Sequence, residues 1–123
     1  MKGILYKILW ATIEDFDGLW EVHWELNSLL PENSSLENRE IAKKILLYFL
    51  EAELVILFYD KWGADELKEI KFEEAIAIIK DKRFWKPPAL NEVCVKVGNT
   101  PKGENFYNED LIDPQMEYSI TKI

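Results

Sequence analysis

A chain of 123 residues, 48% hydrophobic and 31% charged, has the length and balance of one globular domain that needs no metal or disulfide to bury a core. Its formal charge of −8 disfavours nucleic acid and anionic lipid headgroups as partners. The single cysteine, Cys94, excludes an internal disulfide, and in its alternating apolar run it reads as a small buried side chain.

From Gly3 to Thr12, Ile4, Leu5, Ile8 and Leu9 fall at helical spacing, although so short a stretch also fits a strand. An acidic turn, Glu14-Asp15-Phe16-Asp17-Gly18, follows. Asp17 reads as the N-cap of a helix running to about Leu30 and stopped by Pro31. Leu19, Val22, Leu26 and Leu30 share one face of it, Glu21, Glu25 and Ser28 the opposite one, and Trp20 and Trp24 the flank. Ser34-Ser35-Leu36-Glu37 is a capping-box sequence, in which Ser34 accepts from the backbone of Glu37 while Glu37 reaches back. Ser34→Ala should therefore cost about 1 kcal/mol. The helix it opens runs to about Glu53, with Ala42, Ile45, Leu46 and Phe49 as its core stripe.

Leu54 to Tyr59 reads as a strand, an apolar β-branched and aromatic run after a helix end. Asp60 to Asp65 is turn chemistry. An amphipathic helix follows at about Phe72 to Lys82, with Phe72, Ala75, Ile76 and Ile79 inward, and Pro87-Pro88 closes that region. Val93 to Val97 alternates, with Val93, Val95 and Val97 on one side, and reads as a second strand. Thr100 to Tyr107 is a short helix led by Pro101. Residues 108–123 read as a C-terminal extension, a loop with a terminal strand at Glu117 to Lys122 as its alternative. The expected fold is α+β and winged-helix-like, in a single domain spanning 1–123. It comprises three helices, a two-stranded wing with an inserted helix, and a short C-terminal helix.

Three stretches carry a likeness. They are Leu19-Trp20-Glu21-Val22-His23-Trp24-Glu25-Leu26-Asn27, the Ser34-capped helix leading into Leu54-Val55-Ile56-Leu57, and Phe84-Trp85-Lys86-Pro87-Pro88 joined to Thr100 through Tyr107. Together they resemble a group of small uncharacterised bacterial proteins with winged-helix-like organisation. The ending Thr100-x-x-Gly103-x-x-x-Tyr107 is also similar to winged-helix regulators at large. These motifs are structural, so the resemblance implies a fold and no activity.

In such a fold the helix after Ser34 is the one that would enter a DNA major groove. Its outward stripe is Leu36, Glu37, Glu40, Lys43, Lys44, Leu47 and Glu51, within about 60° of Glu40. Base reading relies on Arg, Lys, Asn and Gln near the helix N-terminus, where this stripe carries glutamates. Residues 14–40 hold Glu14, Asp15, Asp17, Glu21, Glu25, Glu32, Glu37 and Glu40 against Arg39 alone, a solvated face or a docking face for a basic partner. Lys80, Lys82, Arg83 and Lys86, around Phe84 and Trp85, form the basic cluster. It suits single-stranded nucleic acid, or more simply a helix end with core aromatics. His23, the only histidine, falls toward the core and lacks a ligand partner four residues away.

No catalytic signature, metal spacing or phosphate loop is present, so the chain is expected to be non-enzymatic and free of cofactors. Met1 to Trp10 is too short and too interrupted by Lys2 and Lys7 for a signal peptide, and no apolar run is long enough to span a membrane. A cytoplasmic protein without membrane association is expected. The candidate partner surface is Trp20, Trp24, Leu36, Glu40, Lys44 and Leu47, serving a protein partner or self-association as a homodimer. Leu47→Asp is expected to spare the fold and weaken association. The alternative is a winged-helix DNA-binding transcriptional regulator.

Overall fold

The computed structural model describes residues 3–61, 67–88 and 93–122. Over these the fold is α+β, with six α-helices and a four-stranded antiparallel sheet. Helices α1 (Ile4–Glu14), α2 (Leu19–Leu29) and α3 (Ser35–Glu51) come first, with a two-residue strand β1 (Asp17–Gly18) between α1 and α2. Then come β2 (Val55–Lys61), β3 (Lys68–Glu69), α4 (Phe72–Lys80), a 3-10 turn at Lys82–Trp85, β4 (Val93–Asn99), α5 (Pro101–Asn108) and α6 (Pro114–Thr121). The strand order is β1-β4-β2-β3, so the long hairpin strands β2 and β4 lie at the centre.

Register decides which side of that sheet is apolar. β2 and β4 pair from Val55↔Asn99 to Lys61↔Val93. Side chains alternate along a strand, so Val55, Leu57, Val95 and Val97 share one face and are buried. Ile56, Phe58, Asp60, Cys94, Lys96 and Gly98 occupy the other face, where Lys96 Nζ reaches Asp60 Oδ2 at 3.0 Å. That bond raises the Lys96 pKa above its ordinary value. Against the apolar face pack Leu5, Ile8 and Leu9 of α1, Leu19, Val22 and Leu26 of α2, and Ile41, Ala42, Ile45, Leu46, Phe49 and Leu50 of α3. Each fully buried Leu, Ile or Phe contributes about 1.5–3 kcal/mol. The stripes at helical spacing are therefore what hold three helices to one sheet.

The helix starts are chemically defined. Ser34 Oγ accepts from Glu37 N at 3.1 Å and Glu37 Oε1 accepts from Ser34 N at 2.8 Å, the reciprocal box that the sequence predicts. Thr100 Oγ1 accepts from Gly103 N at 3.0 Å and donates to the Glu53 carbonyl at 2.7 Å, tying α5 to the end of α3. Gly103 packs directly on the Leu54 carbonyl, leaving no room for a Cβ.

Several elements depart from expectation. Asp17 is not the cap of α2. Gly18 holds that position, its N–H donating to Glu21 Oε1 at 2.9 Å, while Asp17 pairs with Val97 in β1. The two-stranded wing is part of a four-stranded sheet, because β1 and β3 are two residues long and too short to leave a periodic signal. Asp60 and Lys61 extend β2 instead of turning; Trp62 to Asp65 lie outside the described residues. α4 ends at Lys80, and Phe72 at its first position is 48% exposed while Ile78 is buried in the core with Ala75 and Ile79. Val93 is exposed at the start of β4.

The C-terminal segment is helical, not a loop or strand. Asp113 caps α6 by accepting from Gln115 N at 2.9 Å, and Pro114 takes the first helical position, where its missing N–H costs nothing. Ile112 and Ile120 are buried in the common core. Glu117 Oε1 accepts from Leu5 N at 2.9 Å, and Tyr6 Oη accepts from Ile112 N at 2.9 Å. Through Ile112 and Glu117 the described residues 108–122 thus pack back onto α1 and do not extend away from it.

Candidate interaction surface

The junction of α2 and α3 is built by polar side chains that face inward. Asn38 on α3 is fully buried. Its Nδ2 donates to Asn27 Oδ1 at 3.0 Å and to the Leu30 carbonyl at 3.1 Å, and its Oδ1 accepts from Asn33 Nδ2 at 3.0 Å. His23 Nε2 donates to the Ser35 carbonyl at 2.8 Å and stands 3.1 Å from Ser35 Oγ. The only histidine is a half-buried tie between two helices, as its helical position implies. Arg39 is half-buried too, with its Nε enclosed and without a hydrogen-bond partner.

What α3 shows to solvent is correspondingly plain. Leu36 is 59% exposed, Glu40 and Lys44 are exposed, and Glu40 pairs with Lys43 at 3.4 Å. Leu47 does not belong with them: it is half-buried and packed against the core, which removes it from the candidate surface. Eleven residues are almost three full turns, about 20° of rotation, so Leu47 keeps the direction of Leu36 and differs from it by lying about 16 Å further along α3, where the core covers it.

On α2, Trp20 and Trp24 meet edge to face, with ring centroids 4.7 Å apart at 77°. Trp24 is 55% exposed. Trp20 is half-buried, and its indole lies over Gly18 and near Cys94, although its Nε1 completes no hydrogen bond of normal geometry. Burial pushes the Cys94 thiol pKa up, and the neighbouring indole N–H and Lys96 offset this in part. Cys94 is half-buried, on the sheet face away from the core. Among the described residues no hydrogen bond, ion pair or ring contact joins the Trp20–Trp24 pair to Leu36, Glu40 or Lys44.

Aromatic exposure extends further than the sequence indicates. Phe16 stacks on Phe58 at 5.3 Å and 21° over Gly98, where a Cβ would come within 2.7 Å of the Phe58 ring. Trp10 is 42% exposed and lies on Tyr107 at 5.1 Å and 30°. The available signal for Trp10 was its place on the polar side of α1, with Lys7 and Glu14 three and four residues away. Glu14 and Glu25 line the same cleft as Trp10 and Tyr107. Asp17 is raised to a pKa of about 6, first by burial and then by Glu21, Asp15, Glu25 and Glu14.

The basic cluster takes the simpler of its two forms. Trp85 is buried and its Nε1 donates to the Ile79 carbonyl at 2.9 Å, so it offers no stacking platform. Arg83 clamps Asp81 through Nε and Nη2, the shortest contact being 2.6 Å, and holds that carboxyl down to about 2. Lys80, Lys82 and Lys86 are exposed. Among the described residues no three His, Cys, Asp or Glu side chains are placed to hold a metal, and no helix is long and apolar enough to cross a membrane. No protein-family model, curated protein or solved structure matches this chain.

Proposed function

We propose that this chain is a non-enzymatic protein-interaction domain on a winged-helix-like scaffold. The scaffold reading is supported by chain order: three helices, then a β2–β4 hairpin with α4 inserted between its strands, with α5 following. The interaction reading rests on one observation about α3. The residue types that read bases are turned inward there, Asn38 fully buried and Arg39 half-buried, with Lys43 held by Glu40. Lys44 is left as the exposed cation beside Leu36 and Glu40. Such a helix gives a duplex little to bind and a protein an apolar anchor with a charged rim. Trp24 adds an aromatic anchor of the kind that dominates protein interfaces.

A second reading, a DNA-binding regulator, draws on the exposed Lys80, Lys82 and Lys86, at the end of α4 and in the segment that follows it. The two separate in a tagged capture from source lysate with and without nuclease, read by mass spectrometry. A specific protein partner that survives nuclease supports the interaction domain. Recovery of DNA, with partners lost on nuclease treatment and duplex affinity falling steeply with salt, replaces it with the regulator.

A further inference from the structure

We infer that the cleft between α1, α2 and α5 seats an arginine side chain of a basic partner segment; this rests on the interaction reading above. The cleft encloses about 310 Å³. Trp10 forms one wall and is backed by Tyr107, which fixes the indole plane. Glu14, one turn along α1, and Glu25 from α2 reach the same cleft. Neither carboxylate makes an ion pair or hydrogen bond among the described residues, and both are exposed. Lys7 lines the cleft as well but pairs with neither of them.

An exposed indole beside two uncompensated carboxylates is the chemistry of cation recognition. A cation over an indole face is attracted by the ring, and a carboxylate accepts two parallel N–H bonds from a guanidinium. The planar, weakly hydrated guanidinium does both at once, whereas a lysine ammonium can only act as a point charge. Charge complementarity extends beyond the cleft: Asp17, whose pKa is raised first by burial, is raised further by Glu21, Asp15 and the two cleft carboxylates Glu25 and Glu14, so negative charge continues from the cleft toward β1. A segment carrying further positive charge would relieve that repulsion.

The test uses the full chain and a synthetic glycine-spaced arginine peptide, with lysine and citrulline counterparts, followed through the tryptophan indole N–H resonances. The arginine peptide should shift the Trp10 signal, bind more tightly than the lysine peptide and far more tightly than the citrulline one. Affinity should drop roughly tenfold in Glu14→Gln/Glu25→Gln, a pair of exposed positions that the fold does not use. Trp10→Ala, which removes that resonance, should weaken arginine-peptide binding roughly tenfold when affinity is read by titration calorimetry. Equal binding of the citrulline or lysine peptide, shifts confined to other tryptophans, or unchanged affinity in the double variant would overturn the inference. So would a Trp10 shift that tracks protein concentration without peptide, which would give the cleft to a second copy. In the lysate capture, a partner retained equally by the double variant removes this cleft and leaves the interaction reading standing. Capture of no protein at all removes both.

Discussion

Asp17 stands opposite Val97 at the start of the β1–β4 ladder, so its carboxyl is carried half-buried to the sheet edge beside the Glu21 side chain that caps α2. Burial and four neighbouring carboxylates raise its pKa to about 6. A carboxyl that is harder to ionise in the folded chain than in the unfolded one weakens the fold when it loses its proton. Its unfavourable contribution is fully present above pH 6 and fades as the pH falls toward 4. Asp17→Asn should therefore stabilise the protein at pH 7–8, by on the order of 1 kcal/mol after allowance for solvent screening. The difference from the parent should shrink toward zero near pH 4. Denaturant unfolding of both proteins at pH 4.5, 6 and 8 measures it; a gap that stays constant with pH would show that Asp17 is not the group concerned.

Gly103 sets two effects against each other. Alanine is worth about 1 kcal/mol more than glycine inside a helix. A Cβ at this position would press on the Leu54 backbone carbonyl, which cannot rotate away, and overpacking of this kind costs about 1–3 kcal/mol. The steric term should win, so Gly103→Ala lowers the melting temperature by several degrees, roughly 4 °C per kcal/mol for a domain of this size. A melting temperature at or above that of the parent would mean that α5 can shift outward.

Leu36 and Leu47 now separate cleanly. Leu36→Asp at an exposed site should change stability by no more than about 0.5 kcal/mol. Leu47→Asp places a charge against the core and should cost about 2 kcal/mol or more. Paired chemical denaturation curves test both, and similar midpoints for the two variants would mean that Leu47 is not held against the core.

What could be read from the residues follows from how local each signal is. α3 and α5 begin where the Ser34 capping box and Pro101 place them, because such start signals act within three or four residues. The Thr100-x-x-Gly103-x-x-x-Tyr107 ending also acquires a physical account: Thr100 caps, Gly103 closes on Leu54 and Tyr107 supports Trp10. β1 escaped notice because two residues cannot display a period and their pairing partner lies about eighty positions away. α6 was signalled by Asp113-Pro114, a start signal obscured by the acidic residues around it. Exposure of Trp10 and Phe16, and the half-burial of Leu47, depend on which neighbours cover them, and that is a property of the assembled core.

The most direct measurement is a quantitative capture from nuclease-treated lysate, comparing the parent chain with Leu36→Asp and Trp24→Ala after unfolding curves confirm that each variant is folded. A protein held by the parent and depleted in both variants is the predicted result. Contradiction would be the absence of any nuclease-resistant partner, or a partner retained equally by parent and variants, which would remove the exposed faces of α2 and α3 from the interaction.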